Sequence, residues 1–289
     1  MKNTRSGLLV AVLVVFTSLL VVAGCQKGNI SDAGTEAFAL YLTDDPAQFS
    51  AVNIDLQMVE VKVDTMKGRK DNDGACQNDG NGDDHNRPRD EFGKWDTLNF
   101  NPGIYNVAAL RNGIDTLLAT GNVTGRIRKI RVTLGTQNSV TVDGTVYPLL
   151  LPPGSANYFY INLQDKHRRR DSTGEQQVWV DFDLSRSIIE RNGQYYLVPK
   201  LKPFCDQNFG TLVGKVFPAE AATRVMAFNA TDTASAVAER DGRFKIRGLQ
   251  PGSYTVYYDG LSPYNDTTIS SLNVTAGRPV TLPEVTLKK

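Results

Sequence analysis

Hydrophobic residues alternate with polar ones along much of this chain, at the two-residue period of a strand that buries one face. Phe38, Leu40 and Leu42 set the pattern, and Val52, Ile54, Leu56 and Met58 repeat it. Val59, Val61 and Val63 continue one residue out of phase, which predicts a bulge or a bend. Ile130, Val132 and Leu134 oppose Lys129, Arg131 and Thr133, the mark of a half-exposed strand. Val178, Val180 and Phe182 form an apolar face against a mixed one of Trp179, Asp181 and Asp183. Asp143-Gly144, set between Val140–Val142 and Val146–Leu149, predicts a hairpin with a tight primed turn. Asn192-Gly193 introduces a strand over Tyr195–Val198. Only Val107–Ala119 has helical character, and Asn112-Gly113 interrupts it, so a strand, a turn and one helical turn are expected there.

The character changes around Phe204–Phe209, and a second β unit opens at Gly210. Asp241-Gly242 turns the chain, Phe244 and Ile246 face inward, and Pro251-Gly252 turns it again. Tyr254 and Val256 then return on the same inward face. The fold class expected is all-β, with an N-terminal antiparallel β-sandwich-like domain over residues 37–203 and a C-terminal sandwich over 209–289.

The N-terminus carries an address. Lys2 and Arg5 precede an apolar run of sixteen residues, Leu8 to Ala23, interrupted by Thr17 and Ser18. A permanent span needs about 20 apolar residues, so the run suits a signal peptide better. Val22-Ala23-Gly24-Cys25 resembles the bacterial lipobox. That resemblance implies removal of residues 1–24 and lipidation of Cys25, with further acylation, palmitate among the expected chains. Two or three chains hold durably where one, at about 0.8 kcal/mol per buried CH₂, is marginal. Residues 25–36, polar and small after the cysteine, read as a flexible tether. Gln26, standing where an inner-membrane retention signal would place Asp, favours the outer membrane.

Composition narrows the options further. Without Lys2 and Arg5 the chain has thirty basic and thirty-one acidic residues, a balance that offers no case for nucleic acid. Forty per cent hydrophobic residues suffice for packed cores. With Cys25 lipidated, Cys76 and Cys205 remain as candidates for a disulfide in an oxidising compartment, the alternative being two free thiols.

The turn pattern Asp241-Gly242-Arg243-Phe244-Lys245-Ile246 through Gly252-Ser253-Tyr254-Thr255-Val256 resembles the carboxypeptidase regulatory-like domain. That resemblance implies a non-catalytic, prealbumin-like β-sandwich, related in fold to starch-binding modules. Sugar stacking would need exposed rings. Tyr254, Tyr257, Tyr258 and Tyr264 are candidates, though alternation turns Tyr254 and Tyr258 inward. The N-terminal unit resembles domain-of-unknown-function family 4382, on Leu40-Tyr41-Leu42-Thr43-Asp44-Asp45-Pro46, Ala51-Val52-Asn53-Ile54-Asp55-Leu56 and Gly125-Arg126-Ile127-Arg128-Lys129-Ile130-Arg131-Val132. No activity follows from that likeness.

Candidate chemistry is sparse. Between Asp71 and Glu91 lie seven carboxylates with glycines among them, the oxygen ligands that hard cations take. Asp79, Asn81, Asp83 and Asp90 fall at the first, third, fifth and twelfth positions of an EF-hand-like calcium loop, but Asp84 stands where glycine is expected. The other reading is a solvated insertion between strands. Lys166–Arg170 (KHRRR) reads either as a grip for a polyanion or as a charged hairpin tip, and it could pair with the acidic loop. With only His85 and His167, and no G-x-S-x-G, H-E-x-x-H or Walker pattern, no catalytic motif is present. Asp44, Asp55 and Glu60 are the carboxylates a hydrolase could use, and ordinary turn and surface roles also explain them. These readings predict a lipid-anchored, non-enzymatic cell-envelope protein with a structural or interaction role, touching the membrane through its anchor and a glycan or another envelope protein through its surface. The alternative is a carbohydrate-binding surface lipoprotein that uses the C-terminal sandwich.

Overall fold

The computed structural model describes residues 35–45, 49–64, 93–221 and 223–289. Cys25, Cys76, residues 25–34 of the expected tether and the acidic loop with Asp79, Asn81, Asp83 and Asp90 lie outside the described residues, whereas Thr35 and Glu36, expected in the tether, open the first strand. Nearly every described element is a strand, as the alternation predicts. No helix among the described residues is long and apolar enough to cross a membrane.

The N-terminal half runs through β1 (Thr35–Asp45), β2 (Ala51–Asp64), β3 (Lys94–Thr97), β4 (Asn99–Phe100) and β5 (Gly103–Asn106). After a 3-10 turn at Val107–Leu110 come β6 (Thr116–Thr124), β7 (Arg126–Leu134), β8 (Ser139–Val142), β9 (Thr145–Leu150) and β10 (Tyr158–Asn162). Then follow β11 (Arg169–Arg170), β12 (Gln176–Asp183), the single helical turn α1 (Leu184–Ser187), β13 (Ile188–Arg191), β14 (Gln194–Leu197) and β15 (Leu201–Phe204). One sheet has the order β11-β12-β1-β6-β4, with β15 also on β12; the other runs β10-β7-β2-β8-β9-β14-β13, with β3 and β5 on β2. Phe38, Leu40, Val178 and Phe182 from the first sheet meet Val52, Ile54, Ile130 and Val132 from the second in one buried cluster. Each such side chain contributes about 1.5–3 kcal/mol by leaving water.

The phase change along β2 is a bulge. Its register against β7 slips between Leu56 and Met58, so Val59 returns to the core face that Leu56 had left. The predicted primed turn forms, with Asp143 and Gly144 at φ 48° and 78°, and Asn192 and Gly193, at φ 53° and 73°, make a second such turn ahead of β14. The segment 107–119 supplies the expected helical turn, then the Asn112-Gly113 turn, then β6. Parallel pairings depart from the antiparallel expectation: β14 lies parallel to β9, and β1 supplies the longest case in this half. β1 lies parallel to β12, with Tyr41 opposite Trp179, while β6 is antiparallel on its other side.

The C-terminal half contains β16 (Gly210–Phe217), β17 (Arg224–Phe228), β18 (Thr233–Val237), β19 (Arg243–Leu249), β20 (Gly252–Asp259), β21 (Thr267–Val274), β22 (Pro279–Thr281) and β23 (Val285–Thr286). They form two four-stranded sheets, β19-β16-β22 with β23 on β16, and β18-β17-β20-β21. Phe244, Ile246, Tyr254, Val256 and Tyr258 are buried between these sheets, in the orientation the alternation predicts. A third cluster, Trp179, Phe204, Cys205 and Phe209 with Tyr41 against it, lies where the two halves meet.

Candidate functional site

The junction between the halves explains the mixed face of β12. Trp179 and Asp181 are buried there, and Asp183 is buried as the N-cap of α1, accepting from the Arg186 amide at 3.0 Å. Tyr41 stacks on Trp179 with ring centroids 4.9 Å apart. Arg247 from β19 reaches Asp115 and Asp206, each at 2.9 Å, with its guanidinium over Trp179 and Phe204. Lys202 on β15 pairs with Asp232, which also accepts from Tyr254 Oη at 2.6 Å and from the Gln250 amide at 2.9 Å. Burial pushes the Asp181 carboxyl up to about 7, with Lys202 opposing and Asp183 adding to the rise. This closely bonded seam is a structural junction.

Two of the three carboxylates that a hydrolase could use are engaged in structural bonds. Asp55 accepts from Gln57 and from the Gln137 amide, fastening the loop after β7. Glu60 is held by both prongs of Arg131 at 2.6 Å. Asp44 is buried at the junction beside Thr43 and Gly113. His167, expected in a polar loop, is instead buried, its ring against Phe209 and its Nδ1 accepting from the Gln164 amide at 3.1 Å. Burial, with the charges of Lys166 and Arg168, lowers it to about 4. Cys205 is buried as well, its thiol donating to the Lys166 carbonyl at 3.3 Å. Among the described residues no group of three His, Cys, Asp or Glu is placed to hold a metal.

The C-terminal tyrosines offer no open platform. Tyr254 and Tyr258 are core residues, Tyr257 donates to Asp266, and Tyr264 donates to Glu220 while Lys289 covers its ring.

An aromatic surface exists instead on the outer face of the larger sheet, where β3, β2, β7 and β10 lie side by side. Trp95 pairs with Lys62, Glu60 with Arg131, and Arg131 with Tyr160. Trp95 stacks with Tyr160 at 5.9 Å, and Tyr160 meets Tyr158 at 5.2 Å. The Arg131 guanidinium lies 4.5 Å from the Trp95 ring centre and 5.8 Å from that of Tyr158, and Lys129 sits 5.1 Å over Tyr160. Tyr158 and Tyr160 remain 39% and 43% exposed. The hydrogen bonds that Arg131 donates to Glu60 favour its charged form against the opposing effect of burial. Fixed rings beside fixed charge can stack on a flat apolar face and orient a polar group next to it. Lys129 and Arg131 were legible as outward-facing. The rings were missed, although Phe159 and Ile161 alternate with Tyr158 and Tyr160 and could have revealed them.

These features define an all-β chain with two cores, a bonded seam between them and an aromatic outer face. The chain belongs to the DUF4382 family, a domain of unknown function, whose model matches residues 35–199. No curated protein matches its sequence. Solved structures with similar β architecture include a type II cohesin–X–dockerin complex from Acetivibrio cellulolyticus, at 22% identity and a TM-score of 0.22; this match covers 27% of the chain and 56% of that structure's chain. The shaft pilin SpaA from Lactobacillus rhamnosus GG is similar at 11% identity and a TM-score of 0.21, covering 88% of this chain and 97% of that one. A minor pilin from Streptococcus agalactiae stands at 11% identity and a TM-score of 0.21, covering 87% of this chain and 96% of that one. Likenesses this distant carry no weight about function.

Proposed function

We propose that this chain is a lipid-anchored, non-enzymatic protein of the cell envelope with an interaction role, and that the Trp95–Tyr160–Tyr158 face is its contact surface. The observation that carries the reading is the outward display of three rings braced by Arg131 on a rigid sheet. Solvated sheet faces do not require such rings for stability, whereas interfaces are enriched in Trp, Tyr and Arg. The lipobox at Val22–Cys25 supports anchoring through Cys25, and Gln26 supports the outer membrane. Engagement of Asp55, Glu60 and His167 in structural bonds supports a non-enzymatic role. In this reading the C-terminal sandwich is a carboxypeptidase regulatory-like accessory module.

Two measurements test it. Cys25→Ser should abolish labelling by a fatty-acid analogue in cells; a labelled variant overturns the anchor. Cross-linking in whole cells should yield a defined adduct that Trp95→Ala and Tyr160→Ala weaken together, and adducts indifferent to both changes overturn the contact surface. Carbohydrate binding is the second reading, favoured by the same flat stacked rings, and a glycan array of the mature Cys25→Ser chain separates the two.

A further inference from the structure

A second feature lies at the edge of the sheets, away from the aromatic face. Arg126, Arg168, Arg169 and Arg170 line a cleft of about 450 Å³ together with Gly125, Asp165, Glu36 and Gln176. Gly125 has φ 113°, and a Cβ there would meet the Asp64 carbonyl at 2.6 Å, so this residue lets the turn into β7 pass tightly against β2 and turn Arg126 into the cleft. The opposite wall is the KHRRR run. Rather than forming a hairpin tip, it belongs to the stem: Arg169 pairs with Gln177 and Arg170 with Gln176 on β12, and the turn follows at Asp171–Gly174. Its backbone is pinned, since the Lys166 carbonyl accepts from Cys205 Sγ and from Asn208 Nδ2 at 3.1 Å. The buried His167 ring anchors the same turn.

The charges in this cleft do not balance. Asp165 bridges Arg126 and Arg168, and Glu36 takes Arg170 and Gln176. Two carboxylates thus face four guanidiniums. Among the described residues Arg169 makes no side-chain hydrogen bond or ion pair, and the buried Nε of Arg126 has no acceptor. Guanidinium forks left with open donors in a preformed cavity match the oxygen geometry of a phosphate group. The volume suits a phosphate together with the sugar or glycerol that bears it.

We infer that this arginine cleft binds the phosphate group of an envelope molecule, with Arg169 and Arg126 as its principal donors. A phosphorylated sugar and a phospholipid headgroup present the same chemistry. In the anchored protein Glu36 stands eleven residues past Cys25, a tether of about 40 Å at full extension, so headgroups are within its reach.

The test uses the mature chain carrying Cys25→Ser. Binding of glucose 1-phosphate is followed by calorimetry, and co-sedimentation is measured with phosphatidylcholine vesicles with and without phosphatidylglycerol. Arg169→Ser and Arg126→Ser are compared with Arg191→Ser, which removes an exposed charge at a distant hairpin. Saturable binding to either probe, weakened at least tenfold by Arg169→Ser and Arg126→Ser but not by Arg191→Ser, supports the site. The probe that binds names the source: glucose 1-phosphate a sugar phosphate, phosphatidylglycerol vesicles alone a headgroup. Failure of both probes overturns the proposal, as does equal weakening by all three variants, which would signify diffuse charge. Because Arg169 holds no ion pair among the described residues, its replacement should leave the thermal midpoint unchanged and keep the result readable.

Discussion

Arg247 donates to Asp115 at 2.9 Å, and through that bond strand β19 of the C-terminal sandwich is fastened to the segment ahead of β6. The same carboxylate oxygen accepts the Trp179 indole N–H at 2.8 Å. Arg247 is only 8% exposed, while Asp115 and Asp206 are 33% and 42% exposed, so water softens the carboxylate side of the pairing. Arg247→Ala should therefore cost about 2–3 kcal/mol, less than a fully buried pair would. Arg247→Lys should recover part of the loss, because an ammonium cannot reach two carboxylates in one plane. Urea unfolding measures both. A change of under about 0.5 kcal/mol in Arg247→Ala would show the seam to be energetically idle.

Two buried groups give stability opposite slopes with pH. Asp181 is raised to about 7, so between about 4 and 7 the folded state holds a proton that the unfolded state releases, and stability falls as pH rises. His167 is lowered to about 4, so between about 4 and 6.5 the unfolded state holds the extra proton, and stability rises with pH. Each full proton is worth about 1.4 kcal/mol per pH unit, and over the shared window the two nearly cancel. Asp181→Asn should expose the rising slope, and His167→Gln the falling one. Denaturation midpoints at pH 4.5, 5.5 and 6.5 check this, with parallel curves for all three proteins as the contrary result.

Asp232 collects three donors at the seam: Lys202, the Gln250 amide and the Tyr254 hydroxyl. Burial opposes its charge, but Lys202 and these hydrogen bonds together hold the carboxyl below its ordinary value. Asp232→Ala would strand a half-buried ammonium and a buried phenol, at an expected cost of about 3 kcal/mol. Lys202→Met in the same background should regain part of that cost, since it removes the stranded charge. A double-mutant cycle by thermal unfolding provides the measurement.

Gly135 sits under Asp55. A Cβ at this position would lie 2.0 Å from Asp55 Oδ2, the oxygen that accepts the Gln137 amide. Gly135→Ala should push the carboxylate off that amide and destabilise the protein by about 1–3 kcal/mol. Hydrogen exchange should localise the damage, with Gln137 losing protection before β8 does.

Strand faces with one wet side were readable because alternation alone determines them: Ile130 and Val132 inward, Lys129 and Arg131 outward. The turns at Asp143-Gly144 and Asn192-Gly193 were readable because few other residue pairs accept two positive φ values. The second face of β12 was not. Asp181 and Asp183 look solvated in sequence, but Asp181 is buried where Lys202 and Arg247 arrive from later segments, and Asp183 is buried as the N-cap of α1, held by Ser185 and Arg186. The parallel match of Tyr41 to Trp179 is likewise invisible, since alternation fixes which way a side chain points and not which strand lies beside it. For the same reason the arginines of KHRRR could be recognised as a cluster, while Arg126, completing the cleft from a distant strand, could not.

The placement of β1 has a mechanical consequence. The strand that opens the described residues is an interior one, laddered to β12 on one side and to β6 on the other. Tension drawn through residue 35 along the strand axis therefore loads both ladders in shear, so their hydrogen bonds share the force instead of opening one after another from an edge. A chain tugged at residue 35 would resist at the centre of this sheet.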